Sequence, residues 1–487
     1  MAGPNFRDRI GWEKYLRPFL YKELPPDTGW SATLGTLTLL LFGLMAVTGV
    51  ILAMFYNPSP DKAYQSIDFI MKDVPLGAVL RCLHHWGAGA LVLVVFLHLL
   101  STYFSGSYQA PRELTWVMGV CLFLITLGLG FTGYLLPWDM KAYWATVVSS
   151  NIPRHLPVIG NFITGIMLGG QTVSGLTLTR FYAVHTLLLP ALLAGCALAH
   201  IYFVRLHGLT ADPEKHPART EAGQQTYRFF PEHAFRSALV FSCMLLLLIG
   251  LSVFARIPRE QIAGTFSESY LPRPEWYFMW LFQLLTFFAG AWETVGSLVI
   301  PVVGVVVLFA LPFLSKRTGR GLADRPLAAA VGVTAVIAII YLSVMGFVGT
   351  LPYGDIIPVP QRPLTEGEAR GLSLYADREC AYCHQIAGRG GHRVGPDLAN
   401  ILAKGRDVDF LVKFLKDPQA VSSTSIMPKY DLPEKNRRDL AEFILALDFR
   451  SYPLKILKRD EVPKLSAPGR TQQPPLGPGA RKGDERS

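Results

Sequence analysis

Charged side chains are scarce in this sequence of 487 residues: Asp, Glu, Lys and Arg together make up 17% of it, whereas 51% is hydrophobic. The mean hydropathy of +0.31 is positive. Soluble globular domains carry about a quarter charged residues, so this scarcity argues against a soluble chain and favours a polytopic membrane protein. The formal net charge of +10 fits basic cytoplasmic loops, and nothing in it requires a nucleic-acid partner.

The N-terminal segment does not have the pattern expected of a cleavable signal peptide, and no internal repeat is evident. The N-terminal segment 1–30 is polar and mixed in charge, so we expect it to lie at the cytoplasmic membrane interface. Cysteine is rare, with six residues in all. Two of them belong to a motif described below. The other four lie singly in apolar stretches, where small buried core residues are expected: Cys82, Cys121, Cys196 and Cys243.

Seven uncharged apolar runs are long enough to cross a bilayer. They begin near Ser31, Cys82, Leu114, Phe181, Ser237, Thr294 and Pro326. An eighth run, 276–292, is marginal in length and lies between two glutamates. Lys and Arg are concentrated in the N-terminal segment and in the loops after the fourth and sixth runs, so the positive-inside rule places the N-terminus in the cytoplasm. We therefore predict an all-α fold: a bundle of seven transmembrane helices, followed by a small all-α domain.

Composition divides the chain into six segments. The polar, globular composition of 365–450 predicts a separate small domain, and the Pro, Gly, Arg and Lys content of the tail predicts disorder. In order, the segments are the N-terminal segment 1–30, a four-helix domain 31–210, a three-helix domain 211–350, a linker 351–364, the small domain 365–450 and the tail 451–487.

Two of the predicted membrane helices carry two histidines each. The second contains RCLHHWGAGALVLVVFLHLL and the fourth contains RFYAVHTLLLPALLAGCALAHIYF. His84 and His98 are fourteen residues apart, and His185 and His200 are fifteen apart. At about 100° per residue these intervals return to within roughly 40° and 60° of the starting direction, and the rise separates the two levels by roughly 21 Å. Each helix therefore presents two histidines in the same direction, at two matched depths.

The matched depths predict two haem sites. A single intramembrane histidine is equally well explained as a hydrogen-bonded core residue, but four at matched depth indicate function, because ionisable groups are costly in a bilayer. Haem iron accepts neutral imidazole on both axial faces, and helix bundles hold such sites in their cores. The second and fourth helices run in the same direction, so His84 pairs with His185 near the outer face and His98 with His200 near the inner face. His85 points about 100° away from His84, which fits packing or an alternative partner.

Glycines and arginines accompany the two levels. Ordinary helix–helix contact explains small residues in membranes, but a shared fourteen-residue interval favours glycines that face the haems: Gly35 and Gly49 in the first helix, Gly119 and Gly133 in the third. Four arginines near helix ends are either interfacial anchors or partners of haem propionates: Arg81 and Arg180 outside, Arg112 and Arg205 inside.

The small domain begins with a c-type haem attachment motif. CAYCH supplies Cys380 and Cys383 for two thioethers and His384 as the proximal ligand. A zinc site would need two further ligands at suitable spacing, and none stands out. Met427 in SIMPKY lies where a distal thioether ligand would return, and a surface-loop methionine is the alternative. Haem is attached to such motifs outside the cytoplasm, so seven crossings are required and the 276–292 run predicts a partly inserted, non-spanning helix.

Taken together, these residues resemble a known family. The first four predicted helices resemble the cytochrome b subunit of quinol-oxidising cytochrome bc complexes, and the last three resemble subunit IV of the chloroplast-type branch. In that branch the two parts are separate chains, whereas here they are fused and followed by a class I-like cytochrome c. Besides the histidines, the motifs that carry the resemblance are PRELTW (111–116), GYLLPW (133–138), TLTRFYAVH (177–185), PEWYF (274–278) and LPFL (311–314).

The resemblance implies an outer quinol-oxidising pocket. Glu275 supplies a carboxylate in an apolar setting that accepts a proton from quinol; the alternative is an interfacial glutamate that caps a helix. Tyr134 is a second candidate residue for the wall of this quinol-oxidising pocket. In the small domain, Pro396 of GPDL matches the proline whose carbonyl orients the proximal histidine. The remaining residues implied to line the quinol pocket are Pro137, Trp138, Pro274, Trp276 and Tyr277.

One family feature is absent from the sequence. Chloroplast-type relatives attach an extra haem near the inner quinone site through a cysteine early in the first helix, and here Ala32 occupies that place in GWSATLGTLTL. We therefore expect two non-covalent b-type haems and one covalent c-type haem, with no covalently attached third membrane haem.

The function implied by the resemblance is quinol oxidation with a bifurcated electron path, coupled to proton translocation across a prokaryotic inner membrane. No Cys/His pattern for an iron–sulfur cluster is present, so we expect a separate Rieske-type subunit. Quinone, membrane lipid and a soluble or membrane-bound electron acceptor complete the expected partners, and the family is dimeric. The alternative is a non-catalytic electron relay, which would keep the haem ligands but has no use for the PEWY and LPW pocket.

Overall fold

The computed structural model describes residues 12–25, 28–170, 172–209, 227–258, 260–263, 273–288, 292, 294–315, 319–348, 356–378, 380–389, 395–422, 425, 427, 429–448 and 453–463. The longest stretches outside the described residues are the first eleven residues of the N-terminal segment, most of the loop after the fourth membrane helix, and the tail beyond residue 463. The chain forms two compact units, Met1–Leu351 and Pro352–Ser487.

Helices make up almost all of the first unit. Within the described part of the chain, seven helices are long and apolar enough to cross a membrane, which confirms the predicted number of spans. They begin at Trp30, Gly77, Glu113, Gly175, Phe229, Val295 and Pro326. Among the residues that the structure describes, the longer helices are α1 (Trp30–Ala53), α2 (Ala63–Lys72), α3 (Gly77–Phe104), α4 (Glu113–Tyr134), α5 (Met140–Asn151), α6 (Gly160–Leu168), α7 (Gly175–His207), α8 (Phe229–Phe254), α9 (Met279–Thr286), α10 (Val295–Leu314) and α11 (Pro326–Val348).

Two spanning helices begin earlier than their apolar runs. Helix α3 starts at Gly77 rather than near Cys82, and α7 starts at Gly175 rather than near Phe181. Each apolar run is cut short by an arginine, Arg81 or Arg180. A charge near a membrane surface ends a hydrophobic run but does not end a helix, because arginine has a high helix propensity.

The marginal eighth run does not form a spanning helix. Its described part contains a single 3₁₀ turn, Trp276–Phe278, followed by the eight residues of α9. Eight helical residues are about 12 Å long, which is well short of the roughly 30 Å hydrocarbon core of a bilayer. The described part of the run therefore agrees with the prediction that it does not span, and its partial insertion stays a prediction.

The bundle is built from helix pairs. Helix α1 packs on α3, α4 on α7, α8 on α3, and α9 on α11. One buried cluster joins α1, α3 and α8. The opposite faces of the spanning helices expose large apolar side chains such as Leu187 (71%), Leu246 (70%) and Phe254 (90%). Apolar surface on this scale is normally covered by lipid or partner chains.

A short sheet ties the N-terminal segment to the bundle. Strand β1 (Glu23–Leu24) pairs antiparallel with β2 (Tyr227–Arg228), which immediately precedes α8. The Phe229 N–H extends this ladder by donating to the Lys22 carbonyl oxygen over 2.9 Å. The pairing fixes the entry into α8 next to the start of α1.

The second unit is a small helical domain closed by a two-stranded sheet. Its first and last helices pack together: the Tyr375 and Phe443 ring centroids are 5.5 Å apart, and a Cβ atom added to Gly371 would lie 2.1 Å from the Asp439 carbonyl oxygen. The main elements in order are β3 (Ile356–Pro360), α12 (Glu366–Asp377), α13 (Val408–Lys416), α14 (Glu434–Ala446) and β4 (Leu454–Lys458).

The strands correct the predicted segment limits. We assigned 351–364 to a linker and 451–487 to a disordered tail, but β3 and β4 pair antiparallel from Ile356↔Lys458 to Pro360↔Leu454. Strand β4, LKILK, alternates apolar and charged residues as a half-buried strand does. The high Pro and Gly content of the rest of the tail masked that short pattern.

Candidate functional site

The outer histidines come together from two helices. His84 lies on α3 and His185 on α7, and their ring centroids are 6.4 Å apart with the ring planes at 76°. A metal–imidazole bond is about 2 Å long and a ring centroid lies about 1 Å behind its nitrogen. Two imidazoles on opposite sides of one ion therefore have centroids about 6 Å apart. The observed distance fits one haem iron between the two rings.

The inner histidines repeat this arrangement. His98 on α3 and His200 on α7 have ring centroids 6.4 Å apart, with the planes at 81°. The Nδ1 of His200 lies 3.0 Å from the Thr115 carbonyl oxygen. A carbonyl only accepts, so Nδ1 carries the proton and Nε2 keeps its lone pair for a metal.

Threonine hydroxyls orient the outer pair in the same way. Thr48 Oγ1 lies 2.9 Å from His84 Nδ1, and Thr132 Oγ1 lies 3.2 Å from His185 Nδ1. Each hydroxyl already donates its proton to a carbonyl four residues earlier in its own helix. Both therefore accept from an Nδ1–H, which leaves Nε2 of each histidine free to bind a metal. These threonines were not identified from the sequence, because nothing in it pairs a threonine with a histidine of another helix.

The four predicted glycines each face one histidine. A Cβ atom would crowd the imidazole ring at Gly35 and Gly49 and most severely at Gly133, whereas at Gly119 it would make an ordinary van der Waals contact. The distances from an added Cβ to the histidine Cε1 are 3.3 Å for Gly35 and His98, 3.1 Å for Gly49 and His84, 3.5 Å for Gly119 and His200, and 2.5 Å for Gly133 and His185.

The four predicted arginines lie near helix ends and contact protein groups. Their role toward haem propionates stays a prediction. Arg81 Nη1 lies 3.7 Å from Met71 Sδ, Arg112 donates to the carbonyl oxygens of His207 and Gly208 over 3.2 Å, Arg180 donates to the Ile166 carbonyl oxygen, and Arg205 lies 4.6 Å from the Phe229 ring centroid.

A cavity of about 310 Å³ opens beside α4 and α5. Its lining is mostly apolar and includes the two predicted catalytic candidates, Glu275 and Tyr134. The full lining is Leu127, Gly128, Phe131, Tyr134, Ala145, Val148, Ser149, Ile152, Pro274, Glu275, Tyr277, Phe278, Leu281, Phe282 and Leu285. Apolar walls with a few polar groups are typical of a site for a small hydrophobic ligand.

The PEWYF segment packs closely against glycines of two helices. A Cβ atom at Gly89 of α3 would lie 3.3 Å from Trp276 Nε1, and one at Gly130 of α4 would lie 2.8 Å from Tyr277 Oη. The Tyr134 hydroxyl donates to the Arg273 carbonyl oxygen over 3.0 Å. The segment is therefore held against the same helices that carry His84 and face His185. Gly89 and Gly130 were not identified from the sequence, which does not pair them with residues so distant in the chain.

Three residues predicted to line the quinol pocket lie outside the cavity lining: Pro137, Trp138 and Trp276. Trp138 has a left-handed backbone with φ +51°, and its side chain packs into a buried cluster with Leu135 and Phe181. The Trp276 indole packs against α3 at Gly89. The two tryptophans therefore pack against protein groups rather than line the cavity.

An ion pair adjoins the cavity. Lys141 Nζ lies 3.1 Å from Glu275 Oε1, and the two side chains are 30% and 15% exposed. The same ammonium lies 5.3 Å from the Tyr134 ring centroid. Lys141 was not singled out from the sequence, where it is one charge in the first turn of a helix.

The second unit gathers the c-type haem ligands in one turn. Cys380 begins a 3₁₀ turn, and the N–H groups of Cys383 and His384 both donate to its carbonyl oxygen over 3.2 and 3.0 Å. The Nδ1 of His384 donates to the Pro396 carbonyl oxygen over 2.8 Å, so Nε2 is available as a ligand. A Cβ atom at Gly395 would lie 2.4 Å from His384 Cε1, which explains the glycine before this proline.

The pocket around these ligands is apolar. Desolvation raises the pKa of Cys380 to about 12 and that of Cys383 to about 11, so free thiols there are neutral. Met427 is partly buried against the core of the unit, and its role as a distal ligand stays a prediction. The Tyr375 hydroxyl is buried without a partner among the described residues, as expected where a haem supplies the missing acceptor.

Other metal sites are not evident. No group of three or more His, Cys, Asp and Glu side chains that would hold an ion occurs within the described part of the chain. The arrangement instead offers two paired axial ligand sets and one CxxCH motif, which suit haem iron.

Comparisons with known families divide the chain in the same way. Residues 22–208 match the model "Cytochrome b/b6/petB", residues 272–357 match "Cytochrome b(C-terminal)/b6/petD", and residues 368–448 match "Cytochrome c". The cytochrome bc complex cytochrome b subunit of Chlorobaculum thiosulfatiphilum is 36% identical over 325 residues, which cover 64% of this chain and 75% of that protein. The chain belongs to the cytochrome b/b6 family.

Two further relatives match the first half of this cytochrome b-family chain. Cytochrome b6 of Heliobacterium modesticaldum is 44% identical over 180 residues, 37% of this chain and 84% of that protein. Cytochrome b6 of Synechococcus sp. strain RCC307 is 39% identical over 205 residues, 42% of this chain and 94% of that protein. A solved structure, "Hyperthermophilic respiratory Complex III", shares the fold with a TM-score of 0.64 and 23% identity, covering 70% of this chain and 90% of that one.

Membership of the family implies that the chain binds haem, which the histidine pairs are suited to hold. This member of the cytochrome b/b6 family is a haem-binding, multi-pass membrane subunit of a cytochrome bc-type oxidoreductase complex, with a cytochrome c domain fused at its C-terminal side. The ring distances, the Nδ1 partners and the facing glycines all fit the cofactor that the family implies.

Proposed function

We propose that this chain is the cytochrome b/c fusion subunit of a quinol–cytochrome c-type oxidoreductase and oxidises quinol at the cavity lined by Glu275. Each quinol would give one electron to an iron–sulfur partner and one to the haem that His84 and His185 would hold. The haem that His98 and His200 would hold would carry this second electron toward the cytoplasm, where two such electrons and two protons would reduce one quinone. The c-type haem held by Cys380, Cys383 and His384 would receive the other electron from the partner.

The position of the cavity carries this proposal. Tyr134 lines the cavity, and its neighbour Gly133 lies against the His185 ring. On the other side, the indole of Trp276 contacts Gly89, one and a half turns from His84 on the same helix. A ligand in the cavity would therefore contact Tyr134, the neighbour in sequence of the glycine that faces His185, and it would reach the Glu275 carboxylate, which can take its proton.

The haem content in this proposal is two b-type groups and one c-type group. When bound, each haem supplies a one-electron carrier. The protein residues hold it: paired imidazoles from α3 and α7 for the b-type groups, and Cys380, Cys383 and His384 for the c-type group, with Met427 as distal ligand. A pyridine haemochrome assay on the purified complex should give two b per c.

The partners and the orientation belong to the same proposal. The N-terminus lies in the cytoplasm of a prokaryotic cell and the cytochrome c domain on the outer side of the inner membrane. A Rieske-type subunit supplies the iron–sulfur centre, and two copies of the chain form a homodimeric complex. Release of the quinol protons on the outer side couples oxidation to a proton gradient.

The test is Glu275→Gln in the purified complex. We expect quinol oxidation to fall by about 10²-fold or more, because the amide cannot accept the proton. All three haem spectra should be retained. The matched control is Glu232→Gln, which changes an exposed glutamate in the first turn of α8 and should leave turnover unchanged. Unchanged turnover in Glu275→Gln would exclude the proton role of this carboxylate.

A further inference from the structure

Lys141 contacts both polar candidates of the quinol cavity without lining it. Its ammonium pairs with Glu275 Oε1 over 3.1 Å and lies 5.3 Å from the centroid of the Tyr134 ring. Glu275 and Tyr134 both line the cavity, whereas Lys141 does not. The carboxylate therefore has the cavity on one side and a cation on the other, and that cation is twice as exposed as the carboxylate.

The backbone around Lys141 is fixed by a neighbouring segment. The Met140 N–H donates to the Gln261 carbonyl oxygen over 2.8 Å, and the Ala263 N–H donates to the Trp138 carbonyl oxygen over 3.0 Å. Asp139 caps helix α5 by accepting from the Ala142 N–H over 2.9 Å. The ammonium thus extends from the first turn of a capped helix, which makes its position reproducible.

The charges near Glu275 come from several elements. Lys141 on α5 forms the ion pair, and His85 on α3 is within electrostatic reach of both Glu275 and Lys141, with Arg81 nearby. Tyr277 and Tyr134 are phenols on the cavity wall. Arg273 precedes the segment and receives the Tyr134 hydrogen bond at its carbonyl oxygen.

From this geometry we infer that Lys141 is a positioning residue for the proton acceptor of quinol oxidation. An apolar cavity disfavours an ionised carboxylate, and a cation at 3.1 Å offsets that penalty and orients the Glu275 carboxylate at the cavity wall. In the step, the quinol O–H bond breaks, its electron pair stays on the quinol oxygen and the proton binds Glu275 Oε. This inference rests on the proposed function.

The experiment compares the pH profile of quinol turnover in the intact complex for wild type, Lys141→Met and Lys141→Arg. A nearby cation favours the ionised form of a carboxylate, so loss of the ammonium 3.1 Å from Glu275 should matter most at acid pH. Turnover of Lys141→Met at the acid end should therefore fall by roughly three- to tenfold, a range that allows for solvent screening of a partly exposed pair. The alkaline plateau and the KM for quinol should stay within about twofold, and Lys141→Arg should restore the wild-type profile.

Two controls separate positioning from folding. Lys72→Met removes a cation from the exposed Lys72–Asp68 pair at the end of α2, and it should leave the profile unchanged. Lys141→Gln, which keeps a polar side chain, should show the same acid-side loss and replaces Lys141→Met should that variant fail to assemble with normal haem spectra. In a Glu275→Gln background, Lys141→Met should add nothing further, because both act on one carboxylate.

The outcomes distinguish the two proposals. A wild-type complex that does not oxidise quinol overturns the proposed function itself. A wild type that oxidises quinol, together with a Lys141→Met profile that superimposes on it, overturns only the role of Lys141. A further acid-side loss on adding Lys141→Met to Glu275→Gln would also overturn that role, because the cation would then act elsewhere.

Discussion

Gly133 lies directly against the ring of His185: a Cβ atom added at this glycine would be 2.5 Å from the histidine Cε1. Real Cβ contacts are never this short, so any side chain there must push the imidazole or the helices α4 and α7 apart. The relationship joins the two helices at the level of the outer histidine pair. It also explains why the GYLLPW motif begins with glycine.

We expect Gly133→Ala to impair the outer b-type site selectively. The added methyl displaces His185 from the position in which its ring faces His84, and overpacking of a tight contact costs about 1–3 kcal/mol. Reduced-minus-oxidised spectra and redox titration of membranes should show a loss of haem absorbance in one b-type component only. Gly195→Ala is the control on the same helix as His185, because nothing lies within 4 Å of a Cβ atom added there. Equal loss of both b-type components would contradict this prediction.

A second prediction concerns the hydroxyl that orients His84. Thr48→Val keeps the shape of the side chain but removes the acceptor 2.9 Å from His84 Nδ1. Loss of such an outer hydrogen bond weakens metal binding by roughly 10–100-fold. It should also raise the midpoint potential of the outer b-type haem, because a less basic imidazole stabilises ferric iron less.

The control for this experiment is Thr38→Val. Thr38 lies on the same helix and donates to the Leu34 carbonyl oxygen over 2.7 Å, as Thr48 does to Leu44. The two variants therefore lose the same intrahelical bond, and only Thr48→Val loses a contact with His84. Potentials and haem retention that are the same in both variants would show that the histidine contact has no effect.

Periodicity was sufficient to predict the histidine pairs. A helix has a fixed rise and rotation, so residues fourteen or fifteen apart must share a direction, and the structure places His84 with His185 and His98 with His200 at the same 6.4 Å. The seven spans follow equally directly from hydropathy, because the bilayer thickness sets the helix length.

Contacts between distant segments were not predictable in the same way. Thr132 is one of several threonines in an apolar helix, and only the packing of α4 on α7 brings it to His185. The Lys141–Glu275 pair joins residues 134 positions apart. Strand β4 was missed because five alternating residues are a weak signal within a Pro- and Gly-rich stretch. These features depend on which helix faces which, and one sequence does not contain that information.

A third prediction tests the distal ligand of the c-type haem. Met427 is the last methionine in the sequence and packs partly buried against the core of the second unit. Replacing it with His should lower the midpoint potential of the c-type haem, because a thioether ligand favours ferrous iron more than imidazole does. The covalent attachment through Cys380 and Cys383 should persist on a haem-stained gel. A potential that does not change would show that Met427 is not a ligand.

The last prediction concerns the pH dependence of the second unit. Arg362 forms two hydrogen bonds of 2.7 Å with the Glu368 carboxylate, and this guanidinium holds the pKa of Glu368 below its ordinary value. A carboxyl with a depressed pKa contributes stability above its unfolded pKa and loses it as the pH falls through the folded pKa. Glu368→Gln should therefore destabilise the unit by about 1 kcal/mol at pH 7, a modest figure because the pair is partly solvated. The difference in stability from wild type should vanish at acid pH, below both the folded and the unfolded pKa of Glu368.

The measurement is thermal unfolding of the second unit in the intact protein, followed by the c-type haem absorbance from neutral to acid pH. Glu366→Gln is the matched control. Glu366 lies in the same helical turn, but its side chain is 96% exposed and its pair with Arg370 is long, at 3.6 Å. It should change stability by no more than a few tenths of a kcal/mol. A Glu368→Gln deficit that persists undiminished at acid pH would show that the loss comes from the capping contacts with Thr365 rather than from the charge pair, since a protonated carboxyl still donates or accepts hydrogen bonds there.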